Sequence, residues 1–109
     1  MNVFYKTSKL RKSMASLSDI SANYGTRARL VSQRKNDLEA APTLETMRTL
    51  GGDCHELTGN LKGKLAIRIS GNHRIIFKPA NDTTPTKDGG LDWKQITEIT
   101  ILAIGEDYH

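Results

Sequence analysis

The chain has 109 residues, enough for one compact domain around one core, and the whole of 1–109 is expected to fold as that single domain. A hydrophobic fraction of 37% and a charged fraction of 26% exclude a disordered chain, and no apolar run approaches the roughly 20 residues a membrane helix needs. The net charge of +4 is uneven: residues 1–78 hold 14 Lys and Arg against 6 Asp and Glu, whereas residues 79–109 hold 2 against 6. A basic body suits a polyanion, RNA foremost, or an acidic protein partner. The segment Met1 to Lys6 lacks the apolar centre of a signal peptide, so a cytoplasmic protein without a membrane partner is expected.

In chain order, residues 1–5 suit a short strand. Lys6 to Ile20 is rich in Ser, Lys and Arg, with Leu10, Met14 and Leu17 at helical spacing. Tyr24-Gly25 punctuates it. Thr26 to Ala41 predicts a longer helix whose Ala28, Val31, Leu38 and Ala41 share one side, with Arg27, Arg34 and Lys35 mostly on others. Pro42 ends that helix because its ring cannot continue the hydrogen-bond ladder. Leu44 to Leu50 suits a short third helix, stopped by Gly51-Gly52.

Beyond residue 52 the hydrophobic period changes from 3.6 to 2. Leu65, Ile67 and Ile69 alternate with Ala66, Arg68 and Ser70, Gly71-Asn72 signals a tight turn, and His73 to Lys78 returns as a second strand. Ile96 to Ile104 is rich in β-branched residues and predicts another strand. Residues 79–92, polar and rich in Pro, Gly and Asp, predict a long flexible loop. This order of elements predicts an α+β fold, helices followed by an antiparallel meander.

Few residues suggest chemistry. The lone Cys54 precedes His55, but strand neighbours point to opposite faces, and a single thiol suits a small core residue. No Walker-type loop and no paired-cysteine zinc pattern occurs, and the three histidines match no common zinc spacing, so no metal or cofactor is expected. Metal-free RNA cleavage needs proton transfer at the 2′-hydroxyl and at the leaving oxygen, and charge stabilisation on the phosphate. Histidine and arginine suit these tasks. His55, Arg68 and Arg74 lie in the strand half. A two-residue turn places Ser70 opposite His73 and Arg68 near Ile75, with Arg74 within diagonal reach. The two arginines equally suit the solvated face of an amphipathic sheet, and His73 is expected to point away from Arg74. Asp107, Tyr108 and His109 gather a carboxylate, a phenol and an imidazole, although a polar tail is the plainer reading of a terminus.

Two segments together resemble a known family. His55-Glu56-Leu57 through Leu61-Lys62-Gly63 and Leu65 to Phe77, then the ending Glu106-Asp107-Tyr108-His109, are similar to HigB toxins of the RelE/ParE superfamily, over about half of the chain. The resemblance implies a RelE-like fold, two N-terminal helices packed on a small twisted antiparallel sheet. It implies ribosome-dependent cleavage of translated mRNA, and neutralisation by a HigA-type antitoxin with a helix-turn-helix domain. His55, Arg74, Asp107, Tyr108 and His109 would then be catalytic. Lys9, Arg11, Lys12, Arg27, Arg34, Lys62 and Arg68 would meet RNA. The sequence departs from the family pattern at His73, where an aromatic residue usually precedes the arginine, and in the length of 79–95. The related ParE branch inhibits DNA gyrase without cutting RNA. That activity, or a binding module without toxicity, is the alternative.

Overall fold

The structure, a computed structural model, describes residues 1–106. Five strands form one sheet: β1 (Asn2–Tyr5), β2 (His55–Glu56), β3 (Leu65–Ser70), β4 (His73–Pro79) and β5 (Glu98–Glu106), in the spatial order β1-β5-β4-β3-β2. The pairs from β2 to β5 are antiparallel, as the meander predicts, but β1 lies parallel to β5, Val3 beside Ile99. The sheet is therefore mixed. A parallel neighbour requires a long crossover, and the helical segment between β1 and the later strands supplies it.

Three helices cover one face: α1 (Ser8–Ser13), α2 (Leu17–Tyr24) and α3 (Ala28–Ala40). The segment expected as one helix to Ile20 is split because two capping side chains compete within it. Thr7 Oγ1 accepts from the Leu10 amide at 3.1 Å, and Ser16 Oγ accepts from the Asp19 amide at 3.1 Å. The second cap restarts the helix in a new phase, so Met14 is fully buried while Leu17, in the first turn of α2, is 66% exposed. Helix α3 follows its pattern closely. Ala28, Val31, Leu38 and Ala41 are all buried, and Ala41 is already extended before Pro42. Residues Leu44–Thr49 form 3-10 turns in place of a third regular helix.

The core lies between these helices and the inward sheet face, where Leu65, Ile67, Ile75, Phe77, Ile99 and Ile101 are buried. Burying each such side chain is worth about 1.5–3 kcal/mol. Two bulges modify the ladder. One falls between Arg68 and Ser70, so Ser70 still faces His73, but Arg68 stands opposite Arg74 and Ile67 opposite Ile75. The extra residue absorbs one step of register, which the turn residues alone do not reveal. The other falls on β5 between the partners of Ile76 and Phe77.

The segment expected as a flexible loop is fastened at several points. Asn81 Oδ1 accepts from the amides of Thr97 and Glu98, both at 3.0 Å, and its Nδ2 donates to the Gln95 carbonyl at 2.8 Å. Trp93 is buried, with the Arg48 guanidinium 3.9 Å above its ring centroid. Its indole N–H donates to Glu56 at 3.1 Å, and the other oxygen of that carboxylate accepts from the Leu91 amide at 3.0 Å. Glu56 thus ties the long connection to the β2 edge. Among the described residues, no helix is long and apolar enough to cross a membrane.

Candidate active site

The outward sheet face is organised by strand alternation. On β4, Arg74, Ile76 and Lys78 share it. Register then adds Arg68 opposite Arg74, Ala66 opposite Ile76, and His55 opposite Ala66. Cross-strand position therefore gathers His55, Arg68 and Arg74 from three strands. His55 and Arg74, both singled out from the sequence, lie together here: Arg74 Nη1 is 3.4 Å from His55 Nε2.

The tautomer of His55 follows from its other contact. Its Nδ1 lies 2.8 Å from the Asp53 carbonyl oxygen, which can only accept, so in the neutral ring Nδ1 carries the hydrogen. Nε2 then presents its lone pair, and Arg74, which can only donate, is the matching neighbour. Such an arrangement offers a proton acceptor beside a fixed cation. Asp53 holds an unusual backbone, φ 48°, and its carboxylate lies 3.6 Å from Arg68 Nη2. Both of those side chains are more than half exposed, so the ion pair itself adds little stability.

Along the same face lies a groove of about 620 Å³ whose lining includes Lys6, Lys64, Ile76, Lys78, Thr100 and Ala103. Ile76, in the lining, is buried, and so is its cross-strand partner Ala66. Arg68 is four positions on from Lys64 along one strand line, which corresponds to about 13 Å. Phe4, 50% exposed, pairs in register with Thr100 at the groove wall. Lys6, Lys64, Lys78 and Phe4 were not singled out from the sequence. They sit within or next to three different strands, and only the pairing brings them to one face.

The remaining candidates divide. Lys9, Arg11 and Lys12 are exposed on α1, in the helical layer, and Lys62 is exposed near the groove residue Leu61. Arg27 is half-buried between α2 and α3. Arg34 is engaged inside the protein: its side chain is 11% exposed and Nε donates to the Arg68 carbonyl at 2.9 Å. Asp107, Tyr108 and His109 lie outside the described residues, and β5 leads to them from Glu106, which pairs with His73. Cys54 packs partly against the core, and burial pushes its thiol up to about 12, so it is protonated and unreactive at neutral pH. Among the described residues, no three His, Cys, Asp or Glu side chains group as a metal site.

No protein-family model matches the chain, and no curated protein matches it in sequence. Solved structures do match its shape. A YoeB/ParE toxin from Agrobacterium tumefaciens superposes with a TM-score of 0.60 at 12% identity, over 99% of this chain and 100% of that one. A YoeB-YefM complex from Staphylococcus aureus gives 0.58 at 13% identity, over 99% and 98%. A YoeB dimer from the same organism gives 0.54 at 15% identity, over 99% and 98%. The fold is thus the mixed α+β fold of RelE-like toxins. Its particular likeness is to the YoeB and ParE structures, end to end.

Proposed function

We propose that the chain is the toxin of a type II toxin–antitoxin system and a ribosome-dependent endoribonuclease that cuts translated mRNA without a metal ion. The observation that carries this reading is the His55–Arg74 contact, on the same sheet face as a groove lined by Lys6, Lys64 and Lys78. His55 Nε2 accepts the proton of the 2′-hydroxyl, and Arg74 holds the phosphoryl oxygens as charge develops on them. Asp107, Tyr108 and His109 bring the proton donor for the leaving 5′-oxygen, in keeping with the HigB resemblance. Lys6, Lys64 and Lys78 hold the RNA backbone, and Phe4 offers a surface on which a base can stack. The exposed cations of α1 meet ribosomal RNA. An antitoxin, of HigA type by the same resemblance, blocks the toxin in the cytoplasm. The likeness to a YoeB-YefM complex supports the antitoxin part of this reading.

The test is to map mRNA 5′ ends after brief induction of the wild type and of His55→Ala, Arg74→Ala and His109→Ala. In-frame cuts that require translation are expected from the wild type, with losses of about a hundredfold or more in each variant. Cuts of equal strength in all three variants would overturn the assignment. One neighbour is described as YoeB/ParE, so gyrase inhibition is the second reading; DNA damage without mRNA cleavage, indifferent to His55, would select it.

A further inference from the structure

We infer that Arg34, on the opposite side of the sheet edge from the groove, is a positioning residue that fixes the tautomer and aim of the His55 imidazole. The inference rests on the proposed nuclease reading for its effect on rate, but not for its effect on the ring.

The linkage runs through the turn at residues 51–53. Arg34 projects from α3 and places its guanidinium against Gly51 and Gly52. A Cβ on Gly51 would stand 3.3 Å from Arg34 Nη1, and one on Gly52 would stand 2.8 Å from Nε and 2.7 Å from Ile67 Cγ1. Only glycine leaves that space, and Gly52 also holds φ at 102°. The guanidinium donates through Nε to the Arg68 carbonyl, and the Arg68 amide donates to the Gly52 carbonyl at 2.6 Å. Arg34 therefore binds strand β3 and the turn as one unit. Asp37, one helical turn on, stands 3.9 Å from Nη1 and steadies the side chain.

The next peptide along the turn is the one that matters to the site. The Asp53 carbonyl accepts from His55 Nδ1, and Asp53 sits at φ 48°, a left-handed turn conformation that aspartate tolerates better than most side chains. If the turn relaxes, that carbonyl rotates away, and the preference for Nδ1–H is left to two longer contacts, Arg74 Nη1 at 3.4 Å from Nε2 and the Asp53 carboxylate at 3.9 Å from Nδ1. An Nε2–H ring points a hydrogen at Arg74 and cannot accept a proton from a substrate at that atom. An arginine well buried in a helix thus acts on an imidazole it does not touch.

The experiment is long-range proton–nitrogen NMR on histidine-labelled full-length protein, at alkaline pH where imidazoles are neutral. It compares wild type, Arg34→Met, Arg34→Gln and Arg34→Lys, with RNA cleavage and thermal melting measured in parallel. His55 is expected as Nδ1–H in the wild type. Arg34→Met is expected to give a mixture of tautomers and a cleavage rate about ten- to a hundredfold lower. Arg34→Lys, whose ammonium still donates to the Arg68 carbonyl, should restore part of both. A pure Nδ1–H ring with an unchanged rate in Arg34→Met would overturn the inference. Should that variant fail to fold, Arg34→Gln is read the same way. Lower melting with an untouched tautomer would reduce Arg34 to a structural brace and overturn it equally. A wild type that never cuts RNA but still loses its tautomer preference in Arg34→Met would leave the linkage standing and remove the nuclease reading instead.

Discussion

Replacing Glu56 by alanine tests how the long connection after β4 is held. The carboxylate accepts two hydrogen bonds, from the Leu91 amide and the Trp93 indole, and the indole is buried. Hydrogen bonds to a charged acceptor contribute about 1.5–3 kcal/mol each, and Glu56 is only half-buried, so the lower end applies. Removing both is expected to cost about 3 kcal/mol. With a urea m-value of about 1.5 kcal/mol per molar, the midpoint falls by about 2 M. Glu56→Gln keeps the shape but offers one acceptor oxygen to two donors, and should lose about half as much. Trp93 is the single tryptophan, so its emission reports this contact directly, shifting to the red as the indole meets water. A midpoint within about 0.3 M of wild type, with unchanged emission, would refute the anchoring role of Glu56.

Two further outcomes can be checked in solution. Lys64→Ala and Lys78→Ala should each weaken binding of an unstructured RNA and lower the slope of log K against log salt by about 0.7, as measured by filter binding across a salt series; an unchanged slope would place the RNA elsewhere. For Cys54, the folded thiol titrates at about 12 and the exposed one at 9.0, so the unfolded chain ionises first as pH rises. The stabilising contribution of this group is complete below pH 9 and is lost towards 12. Denaturant titrations between these limits should show a shallower alkaline loss in Cys54→Ala, and alkylation of the native thiol at neutral pH should be slow.

Much of the architecture can be read from local pattern. The buried side of α3 follows from Ala28, Val31 and Leu38 at helical spacing, and the inward faces of β3 and β4 follow from alternation. The resemblance marks His55 and Arg74 separately, but that they touch follows only from the pairing of β2, β3 and β4. What escapes is set by non-local contacts. The parallel β1–β5 pair joins the two ends of the domain, and no local period records strand direction. The bulge beside Ile69 turns Arg68 towards Arg74, although the alternating residues read as a regular strand. Arg34 looks like an exposed cation on a polar helix face, yet two glycines far along the chain make room for it inside. The lysines of the groove escape because each is an ordinary strand or loop lysine until pairing collects them.

The parallel contact of β1 with β5 has a consequence for how the domain comes into being. β5 contributes Ile99 and Ile101 to the core and separates β1 from β4, so the first strand has no place in the sheet until the last one has arrived. The β3–β4 hairpin, by contrast, pairs residues close in sequence and brings Arg74 to its post early. Loop closure over nearly the whole chain is slow relative to hairpin formation. During synthesis the chain would therefore carry the arginine of its site on an early hairpin while its core stays open. The finished cleft would exist only after the ribosome has made almost all of the domain.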